Sequence, residues 1–267
     1  MLRPGASVLH FIFSAIFMLH PYAKSTPAAP HRRRTAFLLL AAALGLGTGA
    51  QAQSWESAAL LTSTGFNFRG PSAERQSSIN LYRTGTTGYT NNPYGALPGV
   101  GYGAALQQQR VTRGKVLFGL QAGYEQLRSR VENVLVWPGS GDVLEEAHGH
   151  TNLVLDFIDV HPYAGRRFGL GAVSLDATGG LDLGWLLHCQ EKGFATAGNG
   201  QRFTTDLERR QPRLDTRLRL NLTAYYRRVG LATSYAHGLR NYREGWVGGT
   251  NEAYGQVWRL GVVYRLL

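Results

Sequence analysis

Residues 173–188 read VSLDATGGLDLGWLLH. Taken two at a time, one set is Val173, Leu175, Ala177, Gly179, Leu181, Leu183, Trp185 and Leu187. Its alternates are Ser174, Asp176, Thr178, Gly180, Asp182, Gly184, Leu186 and His188. A period of two is the strand period. Ordinary strands average about 5–6 residues, and a membrane β-strand needs roughly 9–11 to cross. A strand of this length, apolar on one face and carrying two aspartates on the other, suits a wall with lipid outside and a wet interior.

The same alternation recurs on both sides of this stretch. It predicts strands at about 58–68, 99–109, 115–128, 151–166, 173–188, 213–227, 230–240 and from Tyr254 to the end. In the fourth, the alternation slips near Ile158, and Pro162 predicts a bulge or a strand end because proline cannot donate to a ladder. The connections run long, short, long, short, long, short, medium. Short turns on one side and longer loops on the other are the pattern of transmembrane barrels. The fold expected is all-β: a single eight-stranded antiparallel up-and-down transmembrane β-barrel with short periplasmic turns and longer outer loops. Ser77 to Arg83 also suits a short extra strand, which leaves ten strands open.

With the apolar set facing lipid, Phe118, Tyr226 and Tyr264 fall near the periplasmic rim and Tyr124, Trp185 and Tyr254 near the outer rim. Amphipathic rings favour such positions. The other face carries Glu125, Asp156, Asp176, Asp182 and Asp215 against Lys115, Arg217, Arg219 and Arg259. An eight-stranded barrel is about wide enough to be filled by side chains. Paired charges forming a polar plug are therefore expected, with a narrow ion path as the alternative. A soluble secreted barrel would instead turn its apolar face inward.

Composition agrees with a β-rich chain: 34 Gly, 13 Tyr and 11 Phe among 267 residues, with only 2 Met. The net charge of +11 is inflated by the first 52 residues, which hold five basic residues and no acid. The remainder has 23 basic against 17 acidic residues and no clustered basic stripe, so no nucleic-acid partner is read from it. His31-Arg-Arg-Arg-Thr35, the apolar run Ala36–Gly47 and Ala50-Gln-Ala52 form a secretory signal peptide. Residues 1–52 are read as leader and signal, and 53–267 as the barrel domain. A second apolar run, Val8 to Leu19, precedes the signal; either Met18 is the start or the leader is long. Cys189 is the single cysteine, so no internal disulfide forms.

The segment from Asp215, DTRLRLNLTAYYRRVGLATSYAHGLRNY, resembles the PorT-like outer-membrane β-barrel proteins of Gram-negative bacteria. The resemblance lies in Gly230-Leu231, in Tyr235-x-x-Gly238-Leu239-x-Asn241, and in a last strand ending Val263-Tyr-Arg-Leu266. Asp159-Val-His-Pro-Tyr163 is similar to that family's Pro-containing strand, and Gly179-Gly180 to its next one. It covers roughly Thr151 to Leu267, and Leu267 stands where a terminal aromatic is common. It implies an outer-membrane barrel and no one activity.

Catalysis on lipid would need a Ser with a His base at a rim. None of His148, His150, His161, His188 and His237 carries a nucleophile signature. His148-Gly-His150, beside Glu145 and Glu146, reads as an ordinary solvated loop rather than a metal site. No cofactor is expected. The role expected is non-enzymatic: envelope structure, surface contact, or service to a secretion or uptake assembly, with outer-membrane lipid and envelope or secretion proteins as partners. Tyr82, Tyr89 and Tyr94 of the first loop, and Phe194 and Phe203 of the third, are the expected contact residues. The alternatives are a lipid-modifying outer-membrane enzyme working through His161 or His188, and a soluble ligand-binding barrel.

Overall fold

The computed structural model describes residues 54–82, 85–137, 144–245 and 250–266. The leader, the signal peptide and the alternative start at Met18 lie outside them. No described residue is helical. The strands are β1 (Ser54–Arg69), β2 (Gln76–Leu81), β3 (Thr87–Thr90), β4 (Leu97–Val111), β5 (Val116–Trp137), β6 (Glu145–Leu170), β7 (Val173–Ala197), β8 (Arg202–Glu208), β9 (Leu214–Tyr226), β10 (Val229–Asn241) and β11 (Tyr254–Arg265). The described residues form eleven strands, three more than expected. The additions β2, β3 and β8 lie in stretches read as loops; β2 overlaps the extra piece expected at Ser77 to Arg83.

The pairings close two circuits. The first runs β1–β4–β5–β6–β7–β9–β10–β11 and back to β1, antiparallel throughout. A closed circuit leaves no edge for another chain to extend. The second runs β5–β6–β7–β8–β3–β2 and back to β5, with β2–β5 and β3–β8 parallel. The circuits share β5, β6 and β7, which are 22, 26 and 25 residues long. The lower part of β7 pairs with β9 and the upper part with β8. Strands of this length are about twice what a bilayer needs, so their upper halves build the second ring.

β6 shows why the alternation reads as slipping at Ile158. The inward positions keep one parity from Ala147 to Tyr163, through Pro162. What changes is which face is apolar. Above, Leu153, Leu155 and Phe157 point inward and are fully buried. Below, Ile158 turns outward at 40 % exposure while Asp159 and His161 turn inward. The upper half follows the rule for soluble proteins and the lower half inverts it. Pro162 neither ends β6 nor bulges it. The β6–β7 ladder skips from Val160↔Leu183 to Tyr163↔Gly180, and His161 Nδ1 sits 2.7 Å from the Leu181 carbonyl within that gap.

A bulge does occur higher up, between Asp156↔His188 and Phe157↔Leu186. It resets the inward parity of β7 from Asp176 and Asp182 below to Cys189 and Glu191 above. His188, grouped with the polar face by simple alternation, is thereby only half-buried.

The interior is layered. A polar lumen fills the short-turn end. Above it lies an apolar cluster of Phe66, Phe68, Tyr94, Leu127, Phe157, Tyr242 and neighbours, with Phe68 set edge-on to Phe66, Tyr94 and Tyr242. A second apolar cluster, including Ile79, Val136, Ala147, Ala195 and Phe203, fills the upper ring. Between the two, buried Glu191 accepts from the Thr90 N–H at 2.7 Å and pairs with Arg209 at 2.6 Å. That charge on β7 thus ties the end of β3 to the wall.

Candidate functional site: a plugged lumen under an outer ring

Two ion clusters occupy the lumen. In the upper one, Arg217 Nη1 donates to Glu125 Oε1 at 2.6 Å, and its Nε to Asp215 Oδ2 at 2.7 Å. Arg259 reaches both oxygens of Glu125 and Asp182 Oδ2, each at 2.8 Å. Arg219 lies 3.7 Å from Asp182. In the lower one, Arg167 forks to Glu56 at 2.6 and 2.7 Å and to Asp176 at 2.6 and 2.7 Å. Arg265 completes it, 3.5 Å from Glu56 and 3.6 Å from the Tyr225 ring centroid. Buried charges persist only when paired and hydrogen-bonded, and planar guanidinium forks suit carboxylates.

Seven of the expected lumen residues, Glu125, Asp176, Asp182, Asp215, Arg217, Arg219 and Arg259, are buried. Asp176 belongs to the lower cluster, apart from the rest. Two corrections follow. Asp156 stands on the outer face, accepting from the Tyr124 hydroxyl at 2.7 Å and from Gln126 at 2.9 Å. It lies above the level where the faces exchange character, so alternation alone misplaces it. Lys115 is exposed in the turn between β4 and β5. Glu56, Asp159, Arg167 and Arg265 join the lumen without being among the expected lumen residues. Glu56 precedes the expected start of strand one, and Arg167 falls in the expected turn between the fourth and fifth strands.

Between the clusters, Gln109, Gln121, Tyr163, Asn221 and Arg219 line a cavity of about 20 Å³. That is room for about one water. Glycines make the packing possible below it. A Cβ on Gly119 would come within 2.3 Å of the Tyr163 ring, and one on Gly230 within 2.7 Å of Tyr225. Each tyrosine lies directly across the ladder from its glycine and covers it.

The outer wall carries Leu218, Leu220, Leu231 and Leu260 at 52–67 % exposure. Phe118, Trp185, Tyr226 and Tyr264 are exposed as well. Tyr124 and Tyr254 are half-buried, the first held by Asp156 and the second under the Arg69 guanidinium at 5.7 Å. Of the expected contact residues, Tyr94 and Phe203 are buried in the two apolar clusters, which corrects their reading as a surface. Tyr82 is exposed and lies 5.8 Å from Tyr89. Phe194 is half-buried between His150 and Arg202.

His161 meets Asn221 and the Leu181 carbonyl inside the lumen. His188 lies between Asp156 at 3.6 Å and Glu208 at 3.4 Å, and His237 beside Tyr235 and Arg69. Among the described residues, none of these three imidazoles shares a hydrogen bond with a serine or threonine hydroxyl. No group of three or more His, Cys, Asp or Glu among those residues is placed to hold a metal ion.

No family model and no curated protein matches the chain. It is similar to solved structures at low identity. For Neisserial surface protein A (NspA) the identity is 10 %, with 80 % of this chain and 98 % of that one covered, at a TM-score of 0.36. For Ail, the attachment invasion locus protein of Yersinia pestis, it is 14 %, with coverage of 79 % and 98 % and a TM-score of 0.31. For the translocator domain of autotransporter NalP from Neisseria meningitidis it is 11 %, with coverage of 88 % and 95 % and a TM-score of 0.20.

Proposed function

We propose that this chain is an outer-membrane β-barrel with a non-enzymatic, surface-contact role. The eight-strand circuit spans the bilayer, and the ring built on β5, β6 and β7 stands outside it. The observation that carries this is the exchange of faces along one continuous wall: apolar outside and ionic inside below Phe157, apolar inside above it. A soluble barrel has no use for a belt of exposed leucines, whereas hydrocarbon requires one. The ion clusters fill the lumen, so the barrel anchors and presents rather than conducts. The ring offers Tyr82 and Trp137, both exposed, to partners in the envelope or beyond it. PorT-like affiliation is proposed on the sequence motifs; in that reading the Asp159-Val-His-Pro-Tyr163 motif is a lumen motif, since Asp159, His161 and Tyr163 are all buried.

Expression with the signal, outer-membrane isolation and gel electrophoresis with and without boiling test the proposal. A membrane-fraction band whose mobility changes on boiling is expected. A protein recovered soluble from the periplasm would overturn it.

A further inference from the structure

The rim at the short-turn end is uniformly basic. Lys115, Arg166, Arg227 and Arg228 are exposed there, and Arg110 is half-buried. Among the described residues this rim exposes no carboxylate: its acids, Glu56 and Asp176, turn inward to Arg167 and Arg265. The opposite end is mixed, with exposed Glu132, Glu146 and Glu208 among Arg130, Lys192 and Arg202.

Backbone conformation adds an independent sign. Among the described residues, two other than glycine have positive φ, Lys115 at 60° and Arg227 at 54°. The left-handed region costs an L-residue roughly 1–2 kcal/mol, and hairpin turns normally give such positions to Gly, Asn or Asp. The Gly171 turn does so, at φ 65°. Two of the three turns on this rim therefore hold a long cation where glycine is conformationally cheaper. Backbone strain of this kind recurs at functional positions.

We propose that this rim is a collar for the phosphate headgroups of anionic phospholipid in the leaflet it faces. The inference rests on the membrane-barrel reading above. The cations interleave with exposed apolar side chains. Lys115 precedes Val116, Arg166 lies two residues from Phe168, Arg227 stacks over Tyr226 at 5.5 Å, and Arg110 over Trp55 at 5.9 Å. At a bilayer edge, phosphates lie just beyond the acyl chains, so long basic side chains rooted in an aromatic belt reach them.

The test places the full-length exported protein in vesicles of equal parts phosphatidylcholine and phosphatidylglycerol. The lipids retained on the released barrel are then counted by native mass spectrometry. Phosphatidylglycerol should be retained about tenfold over phosphatidylcholine, an effect of the size expected when one or two interfacial cations engage each headgroup, and less at high salt. The combined variant Lys115→Gln, Arg166→Gln, Arg227→Gln, Arg228→Gln should lose the preference. Lys115→Gly with Arg227→Gly separates charge from folding. It should melt no lower than the native chain and still show a reduced preference. Equal retention of both lipids, or a preference that survives in the variants, would overturn the collar. So would binding to peptidoglycan sacculi without lipid preference. A barrel that shifts on boiling yet shows no preference defeats only the collar; a chain that shows no such shift defeats the membrane reading beneath it.

Discussion

Arg217 is fully buried and in ionic contact with three carboxylates, on β5, β7 and β9. Removing one partner of such a network leaves uncompensated charge and typically costs about 3–5 kcal/mol. Arg217→Ala should lower the urea midpoint of the folded, unboiled band accordingly. Asp159 differs: it is buried, its Oδ1 has no hydrogen-bond partner, and among the described residues it makes no ion pair. With it, four carboxylates face Arg217, Arg219 and Arg259. Asp159→Asn should therefore be neutral or stabilising, while Asp182→Asn destabilises; the same midpoint reads both. Above the lumen, burial pushes the Cys189 thiol up to about 12. It stays protonated at neutral pH and should resist alkylation until the barrel is boiled. At this scale period two was a good guide where one strand keeps one parity, as for Asp182, Arg217 and Arg259. It misplaces His188, because a one-residue bulge leaves no mark in local alternation, and Asp156, because the slip near Ile158 does not say whether the register or the apolar face changes there.

The upper ring depends on three short elements with few residues each. Ile79 of β2 and Phe203 of β8 are buried against Val136, Ala147 and Ala195 of the long strands. Ile79→Ala should cost about 2–5 kcal/mol, confined to the ring. Limited proteolysis should then cut between β2 and β3 in the variant and not in the native chain. The boil-dependent shift of the barrel should remain, since none of the strands of the first circuit is altered. These elements were hard to see in the sequence. β3 has four residues, and β2 and β8 carry the Ser, Thr and Asn content of loops. β2 and β3 pair with each other, but what joins them to the wall is long-range parallel pairing of β2 with β5 and of β3 with β8, itself held antiparallel by β7. The spanning strands, by contrast, each carry enough alternating residues to declare themselves.

For the molecule as a whole, the closed circuit, the outward leucines and the filled lumen are what the proposed role as an anchor rests on. Two ionic clusters in series occupy the lumen, so the protein in planar bilayers should show no single-channel steps. Regular conductance would mean that the plugs open. The strands of the first circuit are legible because one alternation of apolar and polar residues runs along each of them; the level at which the apolar face changes sides is marked in the sequence only by the slip near Ile158. Thiol accessibility along β6 measures that level directly. On a Cys189→Ser background, single cysteines replace Asn152, Ile158, Val160 and Ala164, and outer-membrane fragments open on both sides are treated with a charged maleimide. Rapid labelling is expected at 152, and protection at 158, 160 and 164 until the barrel is boiled. Labelling at 158–164 as fast as at 152 would show water where the structure requires lipid.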